Sequence, residues 1–290
     1  MKRAGIVGAG LIGQAWAQVF ARAGWSVTAW DPEARQREAA CKLDRVRVVE
    51  TLEEAVHDVE YVQECGPEVL EAKRATFARM DAAAAKETIL ASSTSALMPS
   101  TFTETLAGRA RCIVAHPVNP PHLVPVVEVC GAPWTSPETK ARTIAIQREV
   151  GQVPIDVKRE IDGFILNRLQ VALLTEAFRL VQEGYVSPED LDHTVADGLG
   201  LRWSFMGPFE TIEMNAPGGI PDYCRRYVGW FRRYMADLPS AAVWDDANWA
   251  KAVTAWGRDP TPGEIAAKTR WRNERLAALG EHKRRQKPYP

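Results

Sequence analysis

Long apolar runs are missing from this chain. Nowhere do ~18 consecutive apolar residues occur, the least a membrane-spanning helix needs, so no membrane partner is expected. An excess of one charge is missing too: 36 basic against 37 acidic side chains leave a net charge of −1, which argues against nucleic acid as a partner. Cysteine is scarce and unpaired in pattern. Cys41, Cys65, Cys112, Cys130 and Cys224 are odd in number and form no Cys-x-x-Cys, which excludes a disulfide framework. With a start in which Met1-Lys2-Arg3 leads directly into an apolar strand, this points to a reducing cytoplasm. Internal repeats, low-complexity tracts and a metal-ligand pattern are likewise missing. The basic stretch Lys283-Arg284-Arg285-Gln286-Lys287 is short and reads as a solvated helix end.

What is present begins at the N-terminus. Ala4-Gly5-Ile6-Val7 is a short apolar strand that runs into Gly8-Ala9-Gly10-Leu11-Ile12-Gly13, which opens a helical pattern. A second strand ends in Asp31, eighteen residues beyond the last glycine. Strand, glycine turn, helix, strand and acid together are the dinucleotide-binding fingerprint in its required context. Gly8 permits the tight turn, Gly10 lets backbone approach the pyrophosphate, and Gly13 lets helix and strand pack closely. The amides of Leu11 and Ile12 begin a helix whose N-terminal partial charge favours phosphate. Asp31 accepts from the ribose hydroxyls and repels a 2′-phosphate, so NAD is expected over NADP.

The first half alternates strands (4–7, 26–30, 46–49, 61–64, 89–91, 112–115, 126–130) with helical patterns, the mark of a parallel doubly wound sheet. A helix over 136–151 is expected to be capped by Ser136 with Pro137 at its first position. After Val153-Pro154-Ile155-Asp156-Val157 only helices follow. The expected architecture is therefore α/β, a Rossmann-type domain over 1–157 and an all-α substrate and dimerisation domain over 158–290. The helix over 163–183 is apolar on most faces and is expected to be buried, as the spine of the second domain and part of a homodimer interface. A helix capped by Ser187 is expected to end at Gly198-Leu199-Gly200, with further helices over 223–234, 244–256 and 262–283.

Ala115-His116-Pro117-Val118-Asn119-Pro120-Pro121 sets one histidine among three prolines, which no regular helix accommodates. A rigid loop is expected, with Glu128 twelve residues on as the carboxylate that orients a general base. Ser95 follows an apolar strand, at the carboxyl end where sheet ligands bind. Asn167 is the neutral polar group early in the 163–183 helix, where a buried amide needs a partner.

Together Ser95, His116, Glu128 and Asn167 resemble the 3-hydroxyacyl-CoA dehydrogenase family. The resemblance rests on Ala91-Ser92-Ser93-Thr94-Ser95, on His-x-x-Asn-Pro over His116 to Pro120, on Asp162-Gly163-Phe164-Ile165-Leu166-Asn167-Arg168 and on Gly207-Pro208-Phe209-Glu210. It is closer to the lambda-crystallin and L-gulonate 3-dehydrogenase branch, through Pro121, through Glu160-Ile161-Asp162 and through Asp197-Gly198-Leu199-Gly200-Leu201-Arg202. The resemblance implies that His116 takes the proton of a secondary alcohol while its hydride goes to NAD. It further implies that Glu128 fixes the imidazole, that Ser95 and Asn167 contact the reacting oxygen with Asn119 beside the substrate, and that Glu68 and Lys73 lie near the nicotinamide ribose. One departure bears on the substrate. Family members carry a long helical hairpin between the second and third strands, whereas here Asp31 reaches Val46 in fifteen residues, which argues against a CoA tail. Arg202 then offers a planar fork for a free carboxylate. The reading is an NAD-dependent dehydrogenase of a small 3-hydroxy acid. A 3-hydroxyacyl-CoA dehydrogenase and a non-catalytic crystallin-like protein are the rivals.

Overall fold

The structure, a computed structural model, describes residues 1–287. Its first part alternates strand and helix in chain order: β1 (Arg3–Val7), α1 (Leu11–Arg22), β2 (Ser26–Trp30), α2 (Ala34–Ala40), β3 (Val46–Val48), α3 (Leu52–Val56), β4 (Tyr61–Glu64), α4 (Leu70–Ala83), β5 (Ile89–Ser92) and α5 (Pro99–Thr103). Then come β6 (Cys112–Pro117), β7 (Val126–Gly131), α6 (Pro137–Glu149) and β8 (Val153–Val157). The strands form one sheet in the order β3-β2-β1-β4-β5-β6-β7-β8. Every pairing is parallel except β6 with β7, which is antiparallel.

Side chains of a strand alternate between faces, and both faces are covered. Ala4, Ile6, Tyr61, Ile89, Ala91, Ile113 and Ala115 join Trp16 and Phe20 of α1 and Ile146 of α6 in one apolar cluster. Val7, Val62, Leu90, Cys112 and Val114 point the other way, into a cluster with Leu52, Phe77, Met80 and Phe102. Ser136 caps α6 as expected, accepting from the Thr139 amide at 3.0 Å.

Two compact units result, Met1–Arg168 together with the described residues from Ala266, and Leu169–Ile265. The change of character read at residue 158 follows the end of β8 at Val157. Residues 158–168 belong with the sheet, because Phe164 is fully buried in its second cluster.

The remaining helices are α7 (Leu166–Gln182), α8 (Pro188–His193), α9 (Gly200–Trp203), α10 (Pro208–Met214), α11 (Gly219–Met235), α12 (Asp246–Trp256) and α13 (Pro262–Arg285). Three expectations need correction here. First, α7 starts at Leu166 rather than Gly163, because Gly163 and Phe164 both adopt positive φ (73° and 47°) and turn the chain before the helix begins. Second, Gly198-Leu199-Gly200 does not end a helix. A π-helical turn over Thr194–Leu199 leads straight into α9, as neither Gly198 nor Gly200 adopts the left-handed conformation that closes a helix. Third, α7 is not buried: Leu169 is 65% and Val171 52% exposed. Within its unit α7 holds Trp244 through Phe178 and Thr175, while Leu169, Val171, Leu173 and Leu174 stay exposed. Ser187 does cap α8, accepting from the Asp190 amide at 3.1 Å. Among the described residues no helix is long and apolar enough to cross a membrane.

Candidate active site

The glycine turn behaves as its spacing suggests. Gly8 has φ of 94°, and a Cβ on Gly13 would lie 1.8 Å from the Gly8 carbonyl oxygen, so helix and turn touch without room for a methyl. A Cβ on Gly10 would instead meet nothing within 4 Å. The first turn of α1 has no side-chain cap and no acid, and Leu11 is exposed. Open space above an uncapped helix N-terminus fits a pyrophosphate. Asp31, at the carboxyl side of β2, accepts from the Ala9 amide at 2.7 Å and the Glu33 amide at 2.8 Å. A carboxylate has about four lone-pair positions, so capacity for ribose hydroxyls remains.

His116 corrects the expectation of a loop: it is the penultimate residue of β6, directly opposite Glu128 in β7. The prolines tolerate this because of parity. The Val118 amide donates to the Val126 carbonyl, so the Pro117–Val127 pair between it and His116–Glu128 is the non-hydrogen-bonded kind, and the amide that Pro117 lacks would point toward β5. The β5 pairing has already stopped at Val114, so no ladder bond is lost. Pro120 and Pro121 lie past the strand end, after a cis Asn119–Pro120 peptide.

The pair is buried, and His116 Nδ1 lies 2.8 Å from Glu128 Oε2. The other carboxylate oxygen accepts the amides of Ile165 at 2.8 Å and Leu166 at 2.9 Å, the entry to α7. Burial pushes the Glu128 carboxyl up, but its bonds to His116 and to these two amides outweigh it and hold the group below the usual carboxylate range. The ionised carboxylate only accepts, so Nδ1 carries a proton, and in the neutral ring Nε2 is left as the acceptor. The Phe164 ring packs on the imidazole with centroids 5.6 Å apart, which is why its left-handed backbone matters.

His116 opens onto a cavity of about 320 Å³ that Ile12, Glu68, Ser95 and Asn119 also line, so five residues singled out in the sequence meet there. Asn167 donates from Nδ2 to the Ser95 carbonyl at 2.8 Å, which ties the start of α7 to the loop after β5. Glu68 accepts from the Thr94 hydroxyl and from the amides of Ala96 and Leu97 at 3.1 and 3.2 Å. Lys73 does not join them. Its ammonium, 2% exposed, donates to both oxygens of Glu64 at 3.0 and 2.7 Å and to Ser92 Oγ at 3.3 Å, which uses all three protons between β4, β5 and α4. Arg202 lies in the other unit, on α9, where it is exposed and without an ion pair among the described residues.

Sequence reasoning missed Cys65 and Ser93, which also line the cavity. Ser93 lies inside the stretch read for Ser95, and Cys65 opens the stretch read for Glu68 and Lys73.

The chain matches the NAD-binding domain of 3-hydroxyacyl-CoA dehydrogenase over residues 3–43 and 33–161, and the C-terminal domain of that enzyme over residues 163–251. It is 41% identical to lambda-crystallin of Oryctolagus cuniculus, over 98% of this chain and 97% of the relative. Against an L-carnitine dehydrogenase of Pseudomonas putida identity is 33%, over 95% and 92%. Among solved structures, 5-formyl-3-hydroxy-2-methylpyridine 4-carboxylic acid 5-dehydrogenase, described as an NAD+-dependent dismutase, superposes with a TM-score of 0.87 at 26% identity, covering 99% of this chain and 100% of that one. A glycine turn that fits a dinucleotide, a histidine–carboxylate pair one cavity away and this likeness from end to end agree: the chain belongs to the 3-hydroxyacyl-CoA dehydrogenase family, as an NAD-dependent oxidoreductase acting on a CH–OH group.

Proposed function

We propose that this protein oxidises the 3-hydroxyl of a small free hydroxy acid to the 3-keto acid, an L-gulonate 3-dehydrogenase-like reaction, as a cytoplasmic homodimer. The observation that carries the chemistry is the buried His116–Glu128 pair at the cavity that begins beside the N-terminus of α1. NAD, when bound, supplies the acceptor for the hydride that leaves the carbinol carbon. His116 takes the hydroxyl proton on Nε2, so the C–H and O–H bonds both break and the carbonyl forms. Glu128 keeps Nδ1 protonated and stabilises the imidazolium that results. Ser95 and Asn167, already joined by a hydrogen bond, contact the reacting oxygen in this reading, and Asn119, which lines the same cavity, contacts the substrate.

A free acid is favoured over an acyl-CoA because one short helix, α2, is all that joins β2 to β3. L-Carnitine, named in a relative's activity, is itself a 3-hydroxy acid without a thioester. Arg202 takes the substrate carboxylate in this reading, through two parallel hydrogen bonds. Arg202→Met should then lower kcat/KM on the best free acid by at least ~10-fold and leave NAD affinity unchanged. The decisive experiment is a screen of free 3-hydroxy acids and 3-hydroxyacyl-CoA thioesters with NAD, read at the NADH absorbance. Turnover of free acids alone is expected. Turnover of thioesters alone transfers the reading to the acyl-CoA branch, and turnover of neither leaves a crystallin-like protein without catalysis.

A further inference from the structure

Beneath the cavity, on the face of the sheet that α1 and α6 cover, runs a chain of buried polar groups that the proposed chemistry does not use. Gln147 on α6 donates from Nε2 to the Tyr61 hydroxyl at 2.9 Å, and Tyr61 donates to Gln63 Oε1 at 2.8 Å. Gln63 Nε2 lies 3.2 Å from the Ala115 carbonyl and 2.7 Å from Ser93 Oγ. The Trp16 indole Nε1 lies 3.1 Å from the same Ser93 oxygen.

The directions in this chain are forced. The Ala115 carbonyl only accepts, so Gln63 must turn its NH2 toward it, and the second proton of that NH2 goes to Ser93. The indole N–H only donates. Both lone pairs of Ser93 Oγ are thereby filled by obligate donors, and the hydroxyl is left with its proton to give. The further partner it has among the described residues is Cys65 Sγ at 3.2 Å, a thiol that burial pushes up to about 12, so it stays protonated and accepts weakly. Ser93 is half-buried and lines the same cavity as Ile12 and His116.

We propose that Ser93 is a preset hydrogen-bond donor to the carboxamide oxygen of the nicotinamide, a role that rests on the reading of this cavity as the seat of that ring. The acceptor is a neutral carbonyl and not the substrate's carboxylate, because Glu68 lines the same cavity and repels an anion. Ser93 is also bonded to α1 itself through Trp16, which sets it on the cofactor side of the cavity. Binding exchanges a weak O–H···S contact for an O–H···O bond and needs no rotation of Gln63 or Trp16.

The test reads binding alone, by isothermal titration of wild type and Ser93→Ala with NAD, thionicotinamide adenine dinucleotide and ADP-ribose. Sulfur replaces the carboxamide oxygen in the second ligand, and the third lacks the ring. Wild type should bind NAD about 3- to 10-fold more tightly than the thio analogue, and Ser93→Ala should bind the two alike, with ADP-ribose affinity unchanged. Ser93→Thr, which keeps the hydroxyl, should keep the preference. Equal binding of NAD and the thio analogue by wild type overturns the proposal whether or not Ser93→Ala folds. Loss of ADP-ribose affinity in step with NAD overturns it as well, since it marks a structural role. Normal cofactor discrimination with no turnover of any hydroxy acid would count against the proposed reaction and not against Ser93.

Discussion

Glu128 joins His116 to the backbone that begins α7: one oxygen lies 2.8 Å from the imidazole Nδ1, and the other accepts the Ile165 and Leu166 amides. A single carboxylate thus sets the tautomer of the base and the point at which the chain leaves the sheet.

Glu128→Gln should therefore lower kcat by about 10²- to 10⁴-fold, because a neutral amide no longer favours the productive tautomer or the imidazolium. Steady-state kinetics with saturating NAD measure it. A loss confined to KM would count against the orienting role.

The same carboxylate makes a pH-dependent contribution to stability. Its pKa is held below the ordinary 4.5, so the contribution is present above that value and is lost as the pH falls through the lower folded value. The gap in Tm between wild type and Glu128→Gln should be widest near neutral pH and shrink in acid below about 4.5. A gap that does not change with pH would mean that the ionised form contributes nothing.

Cofactor choice should follow Asp31. With its carboxylate fixed by the Ala9 and Glu33 amides at the edge of the glycine turn, NADP brings a 2′-phosphate toward a buried acid. Catalytic efficiency should favour NAD clearly, and Asp31→Asn should narrow the difference. Equal efficiency of wild type with both cofactors would contradict this.

The uncovered apolar surface of the helical unit predicts a homodimer. Leu169 and Val171 on α7 and Trp230 and Met235 on α11 are all more than half exposed in the single chain. Light scattering at micromolar concentration should give twice the chain mass, and a monomeric mass would contradict it.

Much of this was legible in the sequence for a local reason. The glycine turn, the strands and the Ser136 and Ser187 caps each depend on residues a few positions apart, which pattern alone records. His116 and Glu128 were visible as chemistry but not as geometry. The parity that lets Pro117 end a strand exists only once β6 and β7 pair. The pairing of Lys73 was not legible, because a charged helix residue gives no sign of an acid waiting on a neighbouring strand, here Glu64. Ser93 was hidden for a similar reason. Its donor role is fixed by Trp16, Gln63 and Ala115, none of them near it in sequence. Apolar periodicity in α7 signalled a surface to be covered, but not whether this chain covers it.

The central claim is that His116 is the general base, and the most direct measurement is the single-turnover rate of hydride transfer in His116→Ala, taken beside the NAD dissociation constant. The rate should fall by about 10²- to 10⁴-fold while NAD binding stays nearly intact. A folded His116→Ala protein that keeps more than about a tenth of the wild-type rate would show that the proton leaves by another route.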